Sequence, residues 1–136
     1  MPKTKKQDYT YAAGKRRTAS VRVRLFKGKG ESLVNDIALE KYFSGPVNRA
    51  QWIRPFEVTD TEGAYYFTAR ATGSGLKGQL GALVHGVSRA LAAVDPDKFK
   101  SALRRAGLLT RDARQKQRRM IGMGGKSRRK KQSPKR

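Results

Sequence analysis

Residues 64–94 decide the fold, and their sequence is AYYFTARATGSGLKGQLGALVHGVSRALAAV. Residues 64–72 are rich in aromatic and β-branched side chains and predict a strand. Residues 73–94 predict a helix, because apolar side chains recur there at the i, i+3, i+4 and i+7 spacing of a core-facing stripe. The stripe consists of Leu80, Leu83, Val84, Val87, Leu91 and Val94.

A glycine-rich loop joins this strand to this helix, and residues 73–78 fit the pattern G-x-G-x-x-G. That pattern between a strand and a helix is typical of dinucleotide-binding proteins. A dinucleotide fold also needs a longer doubly wound sheet and an acid at the end of its next strand. Here the acids that follow, Asp95 and Asp97, begin a helix instead. The loop can still bind a phosphate at the helix N-terminus, with Lys77 adding charge; a tight turn without any ligand is the alternative.

A second helix is predicted from Asp95–Pro96 to residue 106, because aspartate caps helices and proline suits the first helical position. Gly107 marks its C-terminal end. We expect Leu108 and Leu109 to start a last strand or to dock on the core. The inward-facing residues of this helix would be Phe99, Ala102, Leu103 and Ala106.

Upstream, residues 18–26 alternate between apolar and basic side chains and predict a half-buried strand. Val21, Val23 and Leu25 would face the core, whereas Arg22 and Arg24 would form a basic outer face. Because residues 15–29 contain no acid, we interpret this face as a binding surface rather than as a merely solvated one.

The connecting segments give weaker patterns. Residues 27–30 predict a turn, and residues 32–35 a short strand that returns as a hairpin. Asp36 is a candidate cap for a helix to residue 43, and residues 55–60 are predicted to form a strand. Residues 47–54 are ambiguous, and we interpret Trp52 as a partly buried anchor rather than a base-stacking platform.

The charge is high and unevenly distributed. The net charge of the 136 residues is +22, which indicates a nucleic-acid partner first and an anionic membrane second. Residues 11–30 carry seven Lys or Arg and no acid, residues 31–110 carry ten against eight acids, and residues 111–136 carry twelve against one. We therefore predict a flexible segment 1–8, a globular domain 9–110 and a basic tail 111–136.

The tail has too few apolar residues to offset its ordering entropy, so we expect it to order only against a polyanion. Within it, Asp112 is interpreted as an internal counter-ion or a cap for the tail's first turn. His85, the single histidine, falls off the core stripe near Arg89, and we expect no catalytic role for it.

Cysteine is absent, which excludes disulfides and Cys-based zinc sites. The first residues, MPKTKKQDY, contain no apolar signal region, and no run of residues is apolar and long enough to span a membrane. We expect a soluble protein of a cytoplasm-like compartment, without cofactor, metal or small-molecule substrate.

Several motifs resemble those of the ninth small-subunit ribosomal protein of bacterial type. They occur in this sequence in the same order as in that family. The resemblance covers residues 9–136 and includes the two C-terminal residues. The matching motifs are GKRRTA (14–19), GKG (28–30), Val34 with Asn35, LEKYF (39–43), GSGLKGQ (73–79), Ala82, Gly86, SRAL (88–91), GLLTRD (107–112) and the pair Lys135 and Arg136.

The resemblance implies an α+β fold of the split β-α-β kind, a two-layer domain with a left-handed crossover. It implies a place in the head of the small ribosomal subunit, with ribosomal RNA and neighbouring head proteins as partners. The tail would run to the peptidyl-tRNA site, where Lys135 and Arg136 would approach the tRNA backbone.

The sequence departs from the family in three places. Ser74 replaces the middle glycine of the usual triplet, and residues 121–125 are more flexible than the usual stretch. Pro134 separates Ser133 from Lys135 and biases Ser133 toward an extended conformation, which changes the aim of the terminal pair.

Charge, the glycine loop and the resemblance together select the following RNA-binding residues: Lys15, Arg16, Arg17, Arg22, Arg24, Lys27, Lys29, Gly73, Ser74, Gly75, Lys77, Gln79, Arg89, Arg111, Arg114, Lys116, Arg118, Arg119, Lys126, Arg128, Arg129, Lys130 and Lys131. Two alternatives stay open. One is an enzyme of related fold that acts on a phosphorylated small molecule, and the other is a general nucleic-acid-coating protein.

Overall fold

The structure, a computed structural model, describes residues 8–123. Its strands and helices follow one another as β1 (Tyr9–Arg16), β2 (Ala19–Lys27), β3 (Leu33–Val34), β4 (Ile37–Ala38), α1 (Leu39–Tyr42), α2 (Pro46–Thr59), β5 (Tyr65–Thr72), α3 (Leu76–Val94) and α4 (Pro96–Arg105). The strands form one five-stranded sheet in the order β1-β2-β5-β3-β4. Mixed α and β content was therefore predicted correctly.

The helices cover one face of the sheet. Helix α3 packs across β1 and β2, and α2 and α4 pack on α3. On the covered face, β2 contributes Val21, Val23 and Leu25, all of them buried. Phe67 of β5 and Leu103 of α4 are also fully buried, so the core lies between the two layers.

The strand predicted over residues 18–26 is confirmed as β2, and that over 64–72 as β5. The two long helices are confirmed as α3 and α4, although α3 begins three residues later than predicted. Most of the predicted stripe is buried, but Val94 is 37% exposed. The side chain of Asp95 accepts a hydrogen bond from the Lys98 backbone N–H, which confirms the predicted cap. Leu108 and Leu109 dock on the core without forming a strand.

The predicted hairpin of β2 with residues 32–35 is wrong. Strand β2 pairs instead with β5, and the short β3 runs parallel to β5 on the far side. Gly28 donates its N–H to the Ala64 carbonyl, which extends the β2–β5 ladder beyond Lys27. This pairing joins residues 38 to 52 positions apart, from Lys27 with Tyr65 to Ser20 with Thr72, which local turn signals do not reveal.

The strand predicted over residues 55–60 is also wrong, and the helix predicted from the cap Asp36 to residue 43 is confirmed only in part. Ile37–Ala38 pairs with β3 as β4, and only Leu39–Tyr42 is helical. Residues 55–59 belong to α2, which keeps Pro55 inside it. Tertiary packing overrides the local preference here, because Pro55 and Phe56 are buried in the core.

Strands β3 and β5 are adjacent and parallel, and α1 and α2 lie between them in the chain. They form a β-α-β unit whose two parallel strands are direct neighbours. A split unit would have another strand between them, so the split arrangement is not seen at this pair.

Close approach of α3 to β1 depends on glycine. A Cβ atom on Gly14 would lie 1.9 Å from the Ala82 carbonyl oxygen and 2.4 Å from the Gly86 nitrogen. No side chain fits in that space, so Gly14 and Gly86 set the distance between the two layers. Both glycines belong to the motifs that carry the family resemblance.

Candidate nucleic-acid interface

The sheet face opposite the helices is open and basic. Arg22 and Arg24 of β2 project from it, and both are exposed, as their alternation with buried residues predicts. The register places Arg70 of β5 directly beside Arg22, and Tyr11 of β1 directly beside Arg24. Sequence analysis missed Arg70 and Tyr11, and the β2–β5 pairing is the information that would have found Arg70.

These side chains line a groove of about 650 Å³ on the open face. Asp36 is the acid among its lining residues, and its carboxylate lies 3.0 Å from Arg70. The three arginines therefore leave a net positive groove. Its lining residues are Tyr11, Ser20, Arg22, Arg24, Leu33, Asp36, Thr68, Ala69, Arg70 and Thr72.

An aromatic row lies beyond the Tyr11–Arg24 row. The ring centroids of Tyr9 and Phe26 are 5.7 Å apart, and those of Phe26 and Tyr66 are 5.1 Å apart and stacked. The guanidinium carbon of Arg24 lies 5.3 Å from the centroid of the Tyr9 ring. This cation–π contact orients Arg24 without occupying its N–H groups.

At one end of the sheet, the β1–β2 turn meets the glycine-rich loop. A Cβ atom on Gly73, whose φ is +79°, would lie 2.5 Å from the Thr18 carbonyl oxygen, so only glycine allows this contact. Lys15 and Arg17 are exposed, and Arg16 lies along α3 against Gly81. Residues 15–17 and 73–77 are therefore brought together, and we call this region the basic end.

The glycine loop is held in place from within the fold. Gln79 donates a hydrogen bond to the Gly73 carbonyl over 3.0 Å and accepts one from the Tyr42 hydroxyl. Asn35 in turn contacts Tyr42, and its side chain makes two hydrogen bonds to the backbone of Ala71 in β5. Gln79, which was selected as an RNA contact, thus has a structural role in the described residues.

The loop presents its backbone to solvent at the start of α3. Gly75 precedes the first helical residue, and no side chain caps the helix. Its first-turn N–H groups are therefore available to an anion, and Lys77 is exposed beside them. Ser74 adopts a φ of +51°, the left-handed conformation that a glycine in its place would adopt without strain.

The root of the tail is tied to the basic end through His85. The Lys15 backbone N–H donates to His85 Nδ1 over 3.4 Å, and His85 Nε2 lies 3.3 Å from the Leu109 carbonyl oxygen. The ring is therefore neutral, with its proton on Nε2. Desolvation lowers the pKa of His85, and the charges of Arg89 and Arg111 lower it further, against the opposing effect of the Leu109 carbonyl.

Asp112 makes the second tie, and its predicted role as an internal counter-ion is confirmed. Its carboxylate accepts two hydrogen bonds from the Arg114 side chain, at 3.0 and 2.8 Å, and lies 3.5 Å from Arg16. The Arg114 side-chain hydrogen bonds hold the pKa of Asp112 far below its usual range. The acid next to the basic end is thus already paired with arginine.

Beyond Asp112 the chain has no helix or strand as far as Met123, and its side chains are exposed. Ile121 is 95% exposed, so this segment buries almost no apolar surface. The selected tail cations within the described residues are Arg111, Arg114, Lys116, Arg118 and Arg119. The remaining ones lie outside the described residues: Lys126, Arg128, Arg129, Lys130, Lys131, Lys135 and Arg136.

Three other selected residues lie away from the basic end. Lys27 and Lys29 are exposed near the opposite end of β2, beyond the aromatic row. Arg89 donates a hydrogen bond to the Ala13 carbonyl over 2.6 Å and so links α3 to β1. At least part of its guanidinium therefore serves the fold.

Within residues 8–123, no group of three or more His, Asp or Glu side chains is placed to hold a metal ion. In the same part of the chain, no helix has the length and apolar character needed to cross a membrane.

Comparison with known proteins agrees with the motifs. The family model described as ribosomal protein S9/S16 matches residues 14–136. The small ribosomal subunit protein uS9 of Cutibacterium acnes is 45% identical over 112 residues, which cover 82% of this chain and 65% of that protein. The uS9 protein of Maridesulfovibrio salexigens is 44% identical over 121 residues, which cover 88% of this chain and 91% of that protein. This chain belongs to the ribosomal protein S9/S16 family.

Proposed function

We propose that this chain is a structural constituent of the small ribosomal subunit that binds ribosomal RNA. It would act in the cytoplasm, in the ribosome, and both relatives carry the name of a ribosomal protein rather than of an enzyme. The observation that supports RNA binding is that the acids on the basic surfaces are paired with arginine. Asp36 on the open face and Asp112 at the basic end each contact arginine, which leaves the other cations for phosphates.

In this proposal the open face and the basic end bind together. Arg22 and Arg24 contact phosphates on one side, while Lys15, Arg17 and the backbone of the glycine loop contact phosphates at the end of the sheet, since Arg16 is paired with Asp112. Residues 111–123 are mostly exposed and extend this cationic surface beyond the last helix, and the cations further along the sequence would add to its charge. Because Leu109 and Asp112 are tied to His85 and Arg16, the tail leaves from a fixed point beside the basic end.

The salt dependence of RNA affinity tests the tail's share. If about seven tail cations neutralise phosphates of single-strand-like RNA, the slope of log affinity against log salt is roughly −5. A protein truncated after Gln115 keeps the contacts of His85 and Asp112 but loses ten tail cations. We expect a flatter slope with unchanged thermal stability, and an unchanged slope would exclude the tail as a binding element.

Binding of peptidyl-site tRNA by Lys135 and Arg136 is the finer part of the proposal. Removal of these two residues should weaken the retention of tRNA at the peptidyl site of reconstituted subunits without affecting subunit assembly. Replacement of Pro134 by alanine tests whether proline sets the aim of the pair. The left-handed crossover and contacts with neighbouring head proteins remain expectations from the family.

A competition experiment separates this function from general nucleic-acid coating. A coating protein would bind duplex DNA and structured RNA equally well. Preference for RNA, measured with the two competitors at the same salt concentration, supports the ribosomal role.

A further inference from the structure

Tyr11 is the aromatic side chain on the open face that has no aromatic neighbour. Phe26 stacks on Tyr66 and has Tyr9 as its tilted neighbour on the other side, whereas Tyr11 is 54% exposed and lines the groove. Within residues 8–123 its side chain makes no hydrogen bond or ring contact. Its phenol ring is therefore a flat apolar surface that lies beside Arg24, shares a groove with Arg22 and Arg70, and is open to solvent.

The neighbours of Tyr11 leave room above its ring. The next residue of β1 on this face is Ala13, whose methyl group lies beside Arg22 in the register. On the other side Arg24 is drawn over the Tyr9 ring. The groove of about 650 Å³ beside the ring falls within the range of roughly 300–1,000 Å³ that is usual for small-ligand clefts.

An exposed tyrosine on an open sheet, in a groove lined by arginines, matches how proteins bind unpaired RNA. Unpaired bases stack on aromatic side chains, and nearby cations take the phosphates. A duplex offers only its backbone to such a surface, because its bases are already stacked on one another. Tyr11 would add nothing to the affinity for a duplex.

We propose that the open face binds an unstacked nucleotide from a loop or bulge of RNA, with its base on Tyr11 and its flanking phosphates on Arg22 and Arg24. This inference rests on the proposed function and specifies the kind of RNA that this face takes. Arg70 contributes less to phosphate binding, because Asp36 is paired with it at 3.0 Å.

The test compares a short unpaired RNA with a fully paired hairpin of the same composition, each titrated with the full-length chain. Tyr11→Ala should weaken binding of the unpaired RNA on the order of tenfold and leave hairpin binding unchanged. The salt slope should not change, because no charge is removed. Tyr11→Phe keeps the ring and should bind like the parent. Val47→Ala, at a 70% exposed apolar residue of α2, is the matched control.

The double variant Arg22→Ala, Arg24→Ala separates failure of this inference from failure of the proposed function. It should weaken both RNAs and, for the unpaired RNA, reduce the magnitude of the salt slope by about 1.4. If Tyr11→Ala binds both RNAs like the parent while the double variant does not, stacking is overturned and phosphate binding stands. If neither variant changes affinity, the open face is not an RNA surface at all.

Photo-cross-linking in the assembled small subunit decides between RNA and a protein occupant. With benzoylphenylalanine in place of Tyr11, irradiation should yield a protein–RNA product at an unpaired nucleotide. A product with another ribosomal protein, or with a base-paired stem, would overturn the proposal.

Discussion

The covered face and the open face of β2 differ in the size, the charge and the role of their residues. On the covered face, small and β-branched residues such as Val23 pack against the glycines of α3. The addition or loss of one methyl group there would change the free energy of unfolding. On the open face, Arg22 and Arg24 alternate with the core-facing residues and are exposed, and Arg24 lies over the Tyr9 ring. The difference teaches that neighbouring positions of one strand carry separate properties, stability on one side and binding on the other, which substitutions should separate.

The largest effect on stability should come from Gly14→Ala. The added Cβ would stand 1.9 Å from the Ala82 carbonyl oxygen, so β1 and α3 would have to move apart. We expect the free energy of unfolding to fall by about 3 kcal/mol or more, since overpacking against backbone cannot be relieved by a rotamer change. Urea unfolding followed by circular dichroism measures it.

Gly75→Ala is the control for Gly14→Ala. Gly75 has a φ of −106°, and nothing lies within 4 Å of its Cβ position, so alanine should be tolerated there. If the two variants lose equal stability, the close approach of the layers at Gly14 is not what requires glycine.

Val23→Ala should have the next largest effect. Val23 is fully buried and its Cγ2 atom lies 3.0 Å from the Cβ position of Gly86. Loss of two methyl groups should lower the free energy of unfolding by about 2 kcal/mol. RNA affinity of the folded protein should stay that of the parent, as measured by fluorescence anisotropy, and a binding defect in a folded Val23→Ala protein would break the separation of the two faces.

Arg22→Ala, one position away, should have the opposite effects: it should weaken RNA binding and leave the stability of the fold nearly unchanged. Because Arg22 is exposed, the free energy of unfolding should change by less than about 0.5 kcal/mol. Its loss should reduce the magnitude of the salt slope of RNA binding by about 0.7. The two substitutions, compared by unfolding and by salt titration, place stability and binding on opposite sides of β2. A slope equal to the parent's would remove Arg22 from the phosphate contacts.

The elements that were predicted correctly from the sequence are those whose pattern lies within one continuous stretch of many residues. Strand β2 alternates between core-facing and outward-facing residues, α3 has a helical apolar stripe, and α4 has both a cap and a C-terminal glycine. Each of these elements can therefore be predicted from residues that are close together in the sequence. The motifs around Gly14 and Gly73 also identified the family, although the physical reason for these glycines, contact with Ala82 and with Thr18, became visible only in the fold.

The rest depended on pairing between distant residues. Strands β3 and β4 have two residues each, too few for any alternation, and the place of β3 beside β5 is set by Asn35, whose side chain makes hydrogen bonds to the backbone of Ala71. Helix α2 has little amphipathic pattern, and Pro55 in the sequence favours the start of a strand over the interior of a helix. Arg70 and Tyr11 were missed because their importance comes from lying beside Arg22 and Arg24, which is a property of the sheet.

The smallest predicted effect concerns His85, which joins the covered layer to the root of the tail. Its pKa is lowered in the folded protein by desolvation and by Arg89 and Arg111, whereas in the unfolded chain it stays near 6.5. Above that pH both states are neutral and His85 adds no pH dependence. As the pH falls below about 6.5, the unfolded chain takes up a proton that the folded protein resists, so the free energy of unfolding declines.

His85→Gln tests this coupling, because glutamine is neutral throughout and can still accept from the Lys15 N–H and donate to the Leu109 carbonyl. Urea unfolding between about pH 5 and 7.5 should show the decline in the parent and a nearly flat profile in the variant. His85 is the single histidine, and Asp112 stays ionised across this range because Arg114 lowers its pKa, so neither another imidazole nor that carboxylate can imitate the effect. The same decline in both proteins would mean that His85 is as free to take up a proton in the fold as in the unfolded chain, and that the tail root is not held through its ring.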